Sequence, residues 1–314
     1  MIKKILQKIK YELQFNNTQY YTRVSERVLK GYYKKIRRKQ LLQLPPLALK
    51  TENAQLTLSI LASKKNFDDS LAAMYSLCFW RTNIKIHYHE DGSLQEEDIA
   101  ILNKLFPGIK VFRRKAQNEK VINYLNNQGL TYCAKLRESF VLSLKLIDTL
   151  LEKDTPYMLM IDSDVLFFSR PDEIFKVVDD AVLNGCYNVD IANVYSFTDE
   201  ILSKYLDNDI LNCVNTGVFL HNFDKGSFAF MENILANELK LPSPWHMEQT
   251  LFAMYATKVQ NFIPLPAYYD LARQLRDRGK PIVSEHYVHH TGYNIQKDFI
   301  DKLYPLYRSK QAIL

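Results

Sequence analysis

Apolar and polar positions along this chain alternate between two periods, and the alternation predicts its architecture. Short apolar runs at Gln55–Leu61, Ile84–His87 and Ile109–Phe112 have the length of strands. Between them, Phe67–Leu77 and Leu94–Phe106 repeat apolar residues every three or four positions, the spacing of a helix face. The second of these helices reads as opened by Ser93, with Gln95, Glu96 and Glu97 near its positive end. Lys135–Leu151 reads as one long amphipathic helix, with Leu136, Phe140, Leu144, Ile147 and Leu151 on its inner stripe. The unbroken run Tyr157-Met158-Leu159-Met160-Ile161 reads as a strand buried on both faces. Further strands are expected at Asp190–Tyr195, Val214–Asn222, Gln260–Pro264 and Ile282–His289. Strands alternating with helices predict an α/β fold: a mixed, mostly parallel sheet flanked by helices.

The first fifty residues follow another pattern. Ile2, Ile5, Leu6, Ile9 and Leu13 share one helical face, and Lys3, Lys4, Lys8 and Lys10 occupy the others. A second basic helix is expected around Val24–Arg38, with Val28, Leu29, Tyr32 and Ile36 on one side. Leu44-Pro45-Pro46-Leu47 ends this extension, which divides the chain into a basic helical segment, 1–50, and a main domain, 51–314.

Charge sharpens that division. Residues 1–50 hold 13 Lys and Arg against 2 Asp and Glu, a net of +11, so the remainder carries −5 of the overall +6. The segment has no unbroken apolar core of a signal peptide, and no stretch approaches the length of a transmembrane helix. Its pattern fits either an interfacial anchor on an anionic membrane or a solvated extension packed on the protein. Nucleic acid is not expected as a partner, because the rest of the chain is acidic and lacks a recognised binding motif. The four cysteines are scattered without a Cys-x-x-Cys pair, the pattern of reduced thiols in a cytoplasmic protein, which the basic segment would hold at the inner face of the membrane if it is an anchor.

Candidate chemistry begins at Asp162-Ser163-Asp164, at the end of the strand Tyr157–Ile161. Two acids separated by one residue share a face of a continuing strand, and ligands of open α/β sheets bind beyond the strands' carboxyl ends. Paired carboxylates there suit a hard divalent cation that carries substrate phosphates. Asp207-Asn208-Asp209 has the same spacing but follows a polar helix end, so it reads as a solvated turn. In Asn215-Thr216-Gly217 the glycine permits close approach of backbone to a ligand, and the amide and hydroxyl suit sugar hydroxyls; a turn leading into a strand is the plainer reading. Glu248 and Gln249 either cap a helix or face a reacting sugar. His286-Tyr287-Val288-His289-His290-Thr291-Gly292 closes the last strand with three of the seven histidines, and an imidazole beside the carboxylates would favour Mn²⁺ over Mg²⁺.

Taken in order, Tyr132-Cys133-Ala134-Lys135-Leu136, Met160-Ile161-Asp162-Ser163-Asp164, Asn215-Thr216-Gly217-Val218, Glu248-Gln249 and His289-His290-Thr291-Gly292 resemble the GT-A glycosyltransferases. Within them the chain resembles the retaining glycogenin-like and bacterial lipopolysaccharide galactosyl- and glucosyltransferases, over about residues 52–300. The resemblance implies a metal-dependent hexosyltransferase using a nucleotide sugar, UDP-linked, and a glycan or lipid-linked acceptor. It implies Asp162, Asp164 and His289 as ligands of Mn²⁺ or Mg²⁺, and Lys135, Asp162, Asn215, Gly217 and Gly292 around the donor. Gln249 would stand beside the reacting carbon, with Glu248 in place of the usual Asp. The family's Lys-Pro-Trp after the glycine is missing: Tyr293-Asn294-Ile295-Gln296-Lys297 follows Gly292.

Two other readings compete. A phosphohydrolase of the haloacid-dehalogenase type also places Asp-x-Asp after an apolar strand, but at the first strand and with Thr or Val where this chain has Leu166. A degenerate transferase would bind nucleotide sugar at the membrane without turnover. A sugar nucleotidylyltransferase is disfavoured by Ala62-Ser63-Lys64-Lys65-Asn66, which lacks a Gly- and Arg-rich loop.

Overall fold

The structure is a computed structural model that describes residues 18–239, 246–271, 281–288 and 294–311, with the side chains of 18–27 and 310–311 excepted. The helix expected at Ile2–Leu13, and His289, His290 and Gly292, lie outside the described residues. Two compact units form, Met1–Leu44 with Tyr287–Leu314, and Pro45–His286.

The larger unit is built on a seven-stranded sheet: β1 (Leu56–Ala62), β2 (Lys85–Glu90), β3 (Lys110–Arg113), β4 (Tyr157–Ile161), β6 (Gly185–Val189), β7 (Val214–His221) and β8 (Phe262–Pro264). Their order is β3-β2-β1-β4-β7-β6-β8. β7 alone runs against the rest, pairing antiparallel with both β4 and β6. A small sheet joins β5 (Val165–Phe167), β10 (Ser284–His286) and β9 (Tyr269–Leu271), in that order. β4 is buried at all five positions, as its unbroken apolar run requires of a central strand covered on both faces.

Three expectations need correction. The helix predicted over Lys135–Leu151 is two helices, Thr131–Ser139 and Ser143–Glu152. Phe140 is extended (φ −144°, ψ 119°) while its N–H still closes the first helix on the Leu136 carbonyl at 3.1 Å, and the Ser143 hydroxyl donates to that same carbonyl at 3.2 Å. The break lets buried Arg137 grip buried Asp148 through two bonds of 2.7 and 2.8 Å. Eleven residues along a straight helix would hold that pair about 16 Å apart. The strand predicted at Asp190–Tyr195 lies earlier, at Gly185–Val189, and 190–195 is loop. The helix Glu96–Leu105 has Gln95, not Ser93, at its N-cap: the buried Asp98 carboxylate accepts from Gln95 N at 3.0 Å, while Ser93 accepts from Lys64 N at 2.7 Å.

The smaller unit holds the helix Thr18–Leu41, a π-helical turn Phe299–Leu303 and the helix Tyr304–Gln311. Arg37, Leu41, Phe299 and Tyr307 are buried, whereas Val28, Tyr32, Lys35 and Lys39 form one exposed stripe of the helix. Among the described residues, no helix is long and apolar enough to cross a membrane.

Candidate active site

The chain lays β2 and β3 on one side of β1, then returns to place β4 on the other. Such a reversal opens a crevice beyond the carboxyl ends of the two strands at the switch. Here β1 runs into Ser63–Asn66 and β4 into Asp162-Ser163-Asp164. The acids do not sit on a continuing strand, as alternation predicts. They occupy a turn in which Val165 N bonds back to the Asp162 carbonyl at 3.3 Å before β5 begins. Asn66 braces that turn: its Oδ1 accepts from Ser63 N at 2.7 Å, and its Nδ2 donates to Ser163 Oγ at 2.6 Å.

The turn aims both carboxylates at a histidine delivered by the small sheet. β10 runs antiparallel to β5 with His286 opposite Val165, one residue past Asp164. His286 Nε2 lies 3.5 Å from Asp162 Oδ2 and 3.4 Å from Asp164 Oδ1. One ligand atom from each of the three residues falls within 4.8 Å of the others. Opposite ligands of an octahedral ion bound at about 2.1 Å stand about 4 Å apart, so a small contraction would close the set around one cation. Two carboxylates and an imidazole suit Mn²⁺ better than Mg²⁺. Gly217 makes room for this arrangement, since a Cβ there would overlap the His286 ring and crowd Asn215 Oδ1.

A second cluster lies against the first. Lys145, buried in the helix Ser143–Glu152, donates from Nζ to Asp162 Oδ1 at 2.9 Å and to the Thr216 carbonyl at 2.7 Å. The same ammonium is 3.6 Å from Glu248 Oε1. Glu248 and Gln249, in the first turn of the helix Met247–Val259, reach across to β7 instead of capping their own helix. Thr216 donates its hydroxyl to Glu248 Oε2 at 3.2 Å and its backbone N–H to Gln249 Oε1 at 3.4 Å. Gln249 Nε2 is buried with no hydrogen-bond partner among the described residues.

These contacts set the charges. Burial would lower the pKa of Lys145, but Asp162 and Glu248 outweigh it and hold the ammonium above the ordinary lysine value. Burial would raise Asp162, and Lys145 with His286 keeps it below the usual carboxylate range instead. Glu248 moves up, because burial and the Asp162 charge exceed the pull of Lys145. His286 also moves up, since Asp164 and Asp162 overcome its burial.

The remaining expected residues divide. Asn215 is buried with both amide ends engaged, Oδ1 accepting from Gly217 N at 2.9 Å and Nδ2 donating to Asp190 Oδ2 at 2.9 Å. Lys135 is exposed, with Nζ 4.5 Å from the centre of the Tyr132 ring. Asp207–Asp209 is an exposed bend, as expected of a solvated turn. Lys145 is a site residue that sequence reasoning missed, and His286 stood in the candidate segment His286–Gly292 without being chosen as the ligand. Lys145 stands between Leu144 and Leu146 in the helix Ser143–Glu152, and a lysine flanked by apolar residues was the available signal. Choosing His286 over His289 needs the β5–β10 register.

Residues 138–301, just over half the chain, match the family model of nucleotide-diphospho-sugar transferases. No curated protein sequence matches. Among solved structures, the galactosyltransferase LgtC in complex with donor and acceptor sugar analogues superposes with a TM-score of 0.54 at 12% identity, over 81% of this chain and 95% of that one. A glutamine-to-glutamate active-site mutant of LgtC gives 0.51 at 13%, over 78% and 95%. The apo structure of the bifunctional glycosyltransferase WbbM gives 0.53 at 14%, over 84% of this chain and 53% of that one. At such identities the likeness is one of fold, the GT-A fold.

Proposed function

The chain belongs to the nucleotide-diphospho-sugar transferase family, a family of glycosyltransferases, and from that premise we propose that it moves a hexose from a UDP-sugar to a glycan or lipid-linked acceptor, with retention at the anomeric carbon. The observation that carries this reading is the convergence of Asp162, Asp164 and His286 beside Lys145, Glu248 and Gln249. Asp162, Asp164 and His286 would hold Mn²⁺, or Mg²⁺ less well, with His289 as the ligand that family resemblance suggests. The bound ion would act as a Lewis acid on the departing diphosphate.

The protein's own groups supply the rest. Lys145 is a preorganised cation at the carboxylate pair, placed to stabilise charge that develops on the leaving group. Lys135 is a second candidate cation for the donor, and Gly292 a candidate backbone contact. Asn215 fixes the Gly217 backbone and so keeps space open for His286. Gln249 offers its unpartnered amide N–H to a sugar oxygen or the acceptor hydroxyl. An inverting path needs a carboxylate free to take the acceptor's proton. Glu248 is buried and held by Thr216 and Lys145, which supports retention with Gln249 as the neutral neighbour. The basic extension supports peripheral attachment to an anionic inner membrane face, where a lipid-linked acceptor would be met.

The test is thermal shift with UDP, UDP-glucose and UDP-galactose, with and without Mn²⁺, followed by transfer assays. We expect stabilisation by a UDP compound that needs metal and disappears in Asp164→Ala, with loss of transfer by about three orders of magnitude. Transfer that survives Asp164→Ala would overturn the metal site. Nucleotide binding without turnover would point instead to a degenerate scaffold.

A further inference from the structure

Lys145 stands where helix electrostatics would not put it. It lies in the first turn of the helix Ser143–Glu152, at the positive end of the helix dipole, where a cation is disfavoured. That turn has no side-chain cap, and Leu142 before it is already helical (φ −69°, ψ −17°). Leu144, Leu146, Ile147 and Leu150 bury the helix, but apolar contacts carry no direction. Yet Lys145 Nζ has to meet Asp162 Oδ1 at 2.9 Å and the Thr216 carbonyl at 2.7 Å, with Glu248 Oε1 3.6 Å away. A directional contact has to fix the turn that bears it.

Polar links reach this helix at its far end and near its start. At the far end Lys153 donates from Nζ to the Phe223 carbonyl at 2.7 Å, and Glu152 pairs at 2.5 Å with exposed Lys120. The link nearest Lys145 is the buried one. Asp148, one turn on, accepts from Arg137 Nε at 2.7 Å and from Arg137 Nη2 at 2.8 Å. The remaining arm of the guanidinium, Nη1, donates to Asn118 Oδ1 at 2.9 Å. One side chain thus joins three consecutive helices, Arg114–Asn127, Thr131–Ser139 and Ser143–Glu152.

The geometry of that link suits it to hold Lys145. Residues three apart share a helix face, with about 4.5 Å of rise between them. A planar bidentate fork fixes direction as well as distance. The grip on Asp148 therefore sets both the height and the rotation of the turn that carries Lys145. As a stabiliser the pair is poor. Burial pushes the Asp148 carboxyl above its ordinary value even with Arg137 beside it. Apolar residues can often replace such a buried pair with no loss of stability, but they would not supply its direction.

We infer that Arg137, acting through Asp148, is a positioning residue that holds Lys145 on the Asp162 carboxylate. The inference rests on the transferase reading above. Lys145 is placed to meet charge on the leaving diphosphate, and that charge is greatest in the transition state. Loosening the fork therefore lowers kcat and leaves the donor KM alone. A displacement of about 1 Å can cost about a hundredfold even when the mutated residue is far from the chemistry.

The experiment pairs steady-state turnover of UDP-glucose or UDP-galactose with Mn²⁺ and side-chain NMR of the ¹⁵N-lysine-labelled full chain. Arg137→Met with Asp148→Leu removes both charges, so no buried charge is left unpaired. This double variant should unfold at about the same urea concentration as the wild type. Its kcat should fall by at least about tenfold, with donor KM within about twofold. Arg137→Lys keeps the charge without the fork; it should lower kcat about fivefold, and it serves if the double variant does not fold. Added to Lys145→Ala, the double change should cost less than about twofold more, because its effect passes through Lys145. Lys120→Ala cuts only the exposed link and should stay within about twofold of the wild type. In the NMR arm, the Lys145 ammonium signal is identified by its loss in Lys145→Ala, with that of Lys153 as internal standard. It should broaden or vanish when the fork is removed. Full kcat in either folded variant, a full further loss on top of Lys145→Ala, or an unchanged Lys145 signal would overturn the inference. No turnover in the wild type would sink the transferase reading instead, and the NMR arm would still decide the positioning.

Discussion

The two compact units of this chain use charge in opposite ways. Residues 1–44 and 287–314 contain 16 basic and 4 acidic residues, a net of +12, which leaves −6 for residues 45–286. In the smaller unit the described helix displays its lysines to solvent, with Lys35 and Lys39 on the same exposed stripe as Val28 and Tyr32. In the larger unit the decisive charges are committed to one another, and all but the partly exposed Asp162 are buried: Arg137 with Asp148, and Lys145 with Asp162 and Glu248. Exposed charges act through a long-range field that salt screens, and single changes there are small. Removing one member of a buried set leaves its partners uncompensated, and the penalty is several-fold larger.

Lys145 is therefore where the contrast should be widest. Lys145→Ala strands buried Glu248 beside Asp162, and we expect a loss of about 2–3 kcal/mol in chemical denaturation, less than for a fully buried set because water reaches Asp162. Transfer should fall by about two to three orders of magnitude, the usual effect of deleting a preorganised charge donor. Lys135→Ala, on an exposed ring-stacked side chain, should change turnover only a few-fold. The opposite ranking in kcat/KM would return the donor-facing cation to Lys135.

The next largest effect separates the histidines. His286→Ala should raise the Mn²⁺ concentration for half-maximal activity by about 10–100-fold, as loss of a support to a metal site commonly does. His289→Ala tests the alternative ligand in the same titration. A metal requirement that shifts with His289 and not with His286 would reassign the third ligand.

What could be read in advance follows the same division between local and long-range order. The strand Tyr157–Ile161 and the acids after it were legible, because five apolar residues followed by Asp-Ser-Asp are a local signal. The basic helix near Val24–Arg38 was legible for the same reason and extends from Thr18 to Leu41. The break at Phe140 was not, because the apolar stripe runs straight across it and only the Arg137–Asp148 pair requires it. Nor was the choice of His286 within its segment, which depends on an antiparallel pairing with a strand of three residues more than a hundred positions away. Glu248 and Gln249 could be named but not oriented. Their side chains turn to Thr216 because β7 lies there, a fact of tertiary packing.

The smaller unit offers a milder test. Lys35→Glu with Lys39→Glu should weaken binding to liposomes containing phosphatidylserine by at least about thirtyfold, since each basic residue at an anionic surface contributes about 1 kcal/mol. Turnover on a water-soluble acceptor should stay unchanged, because these residues belong to neither cluster of the site. Wild-type binding should weaken with salt. Undiminished liposome binding by the double variant would remove this face as the anchor.

The smallest expected effect is in acid, and it too belongs to the larger unit. Burial holds His87 down to about 4 and His89 down to about 3, and His221 lies well below its ordinary value for the same reason. Each is neutral when folded and takes up a proton more readily when unfolded, near pH 6.5. The unfolded state thus binds more protons between the folded and unfolded values, and stability falls as pH drops through that window. From pH 7 to 5.5 each of these histidines should cost about 1 kcal/mol. His286 has the opposite sign: its raised value adds stability below pH 6.5 that is lost as pH rises through the folded value. Three against one leaves a net loss. Urea denaturation at the two pH values measures it, and His89→Leu isolates one share, because it removes both buried ring nitrogens, which have no hydrogen-bond partner among the described residues. The pH-dependent loss should shrink by about 1 kcal/mol in that variant; an unchanged difference would mean that His89 does not titrate as a buried neutral group.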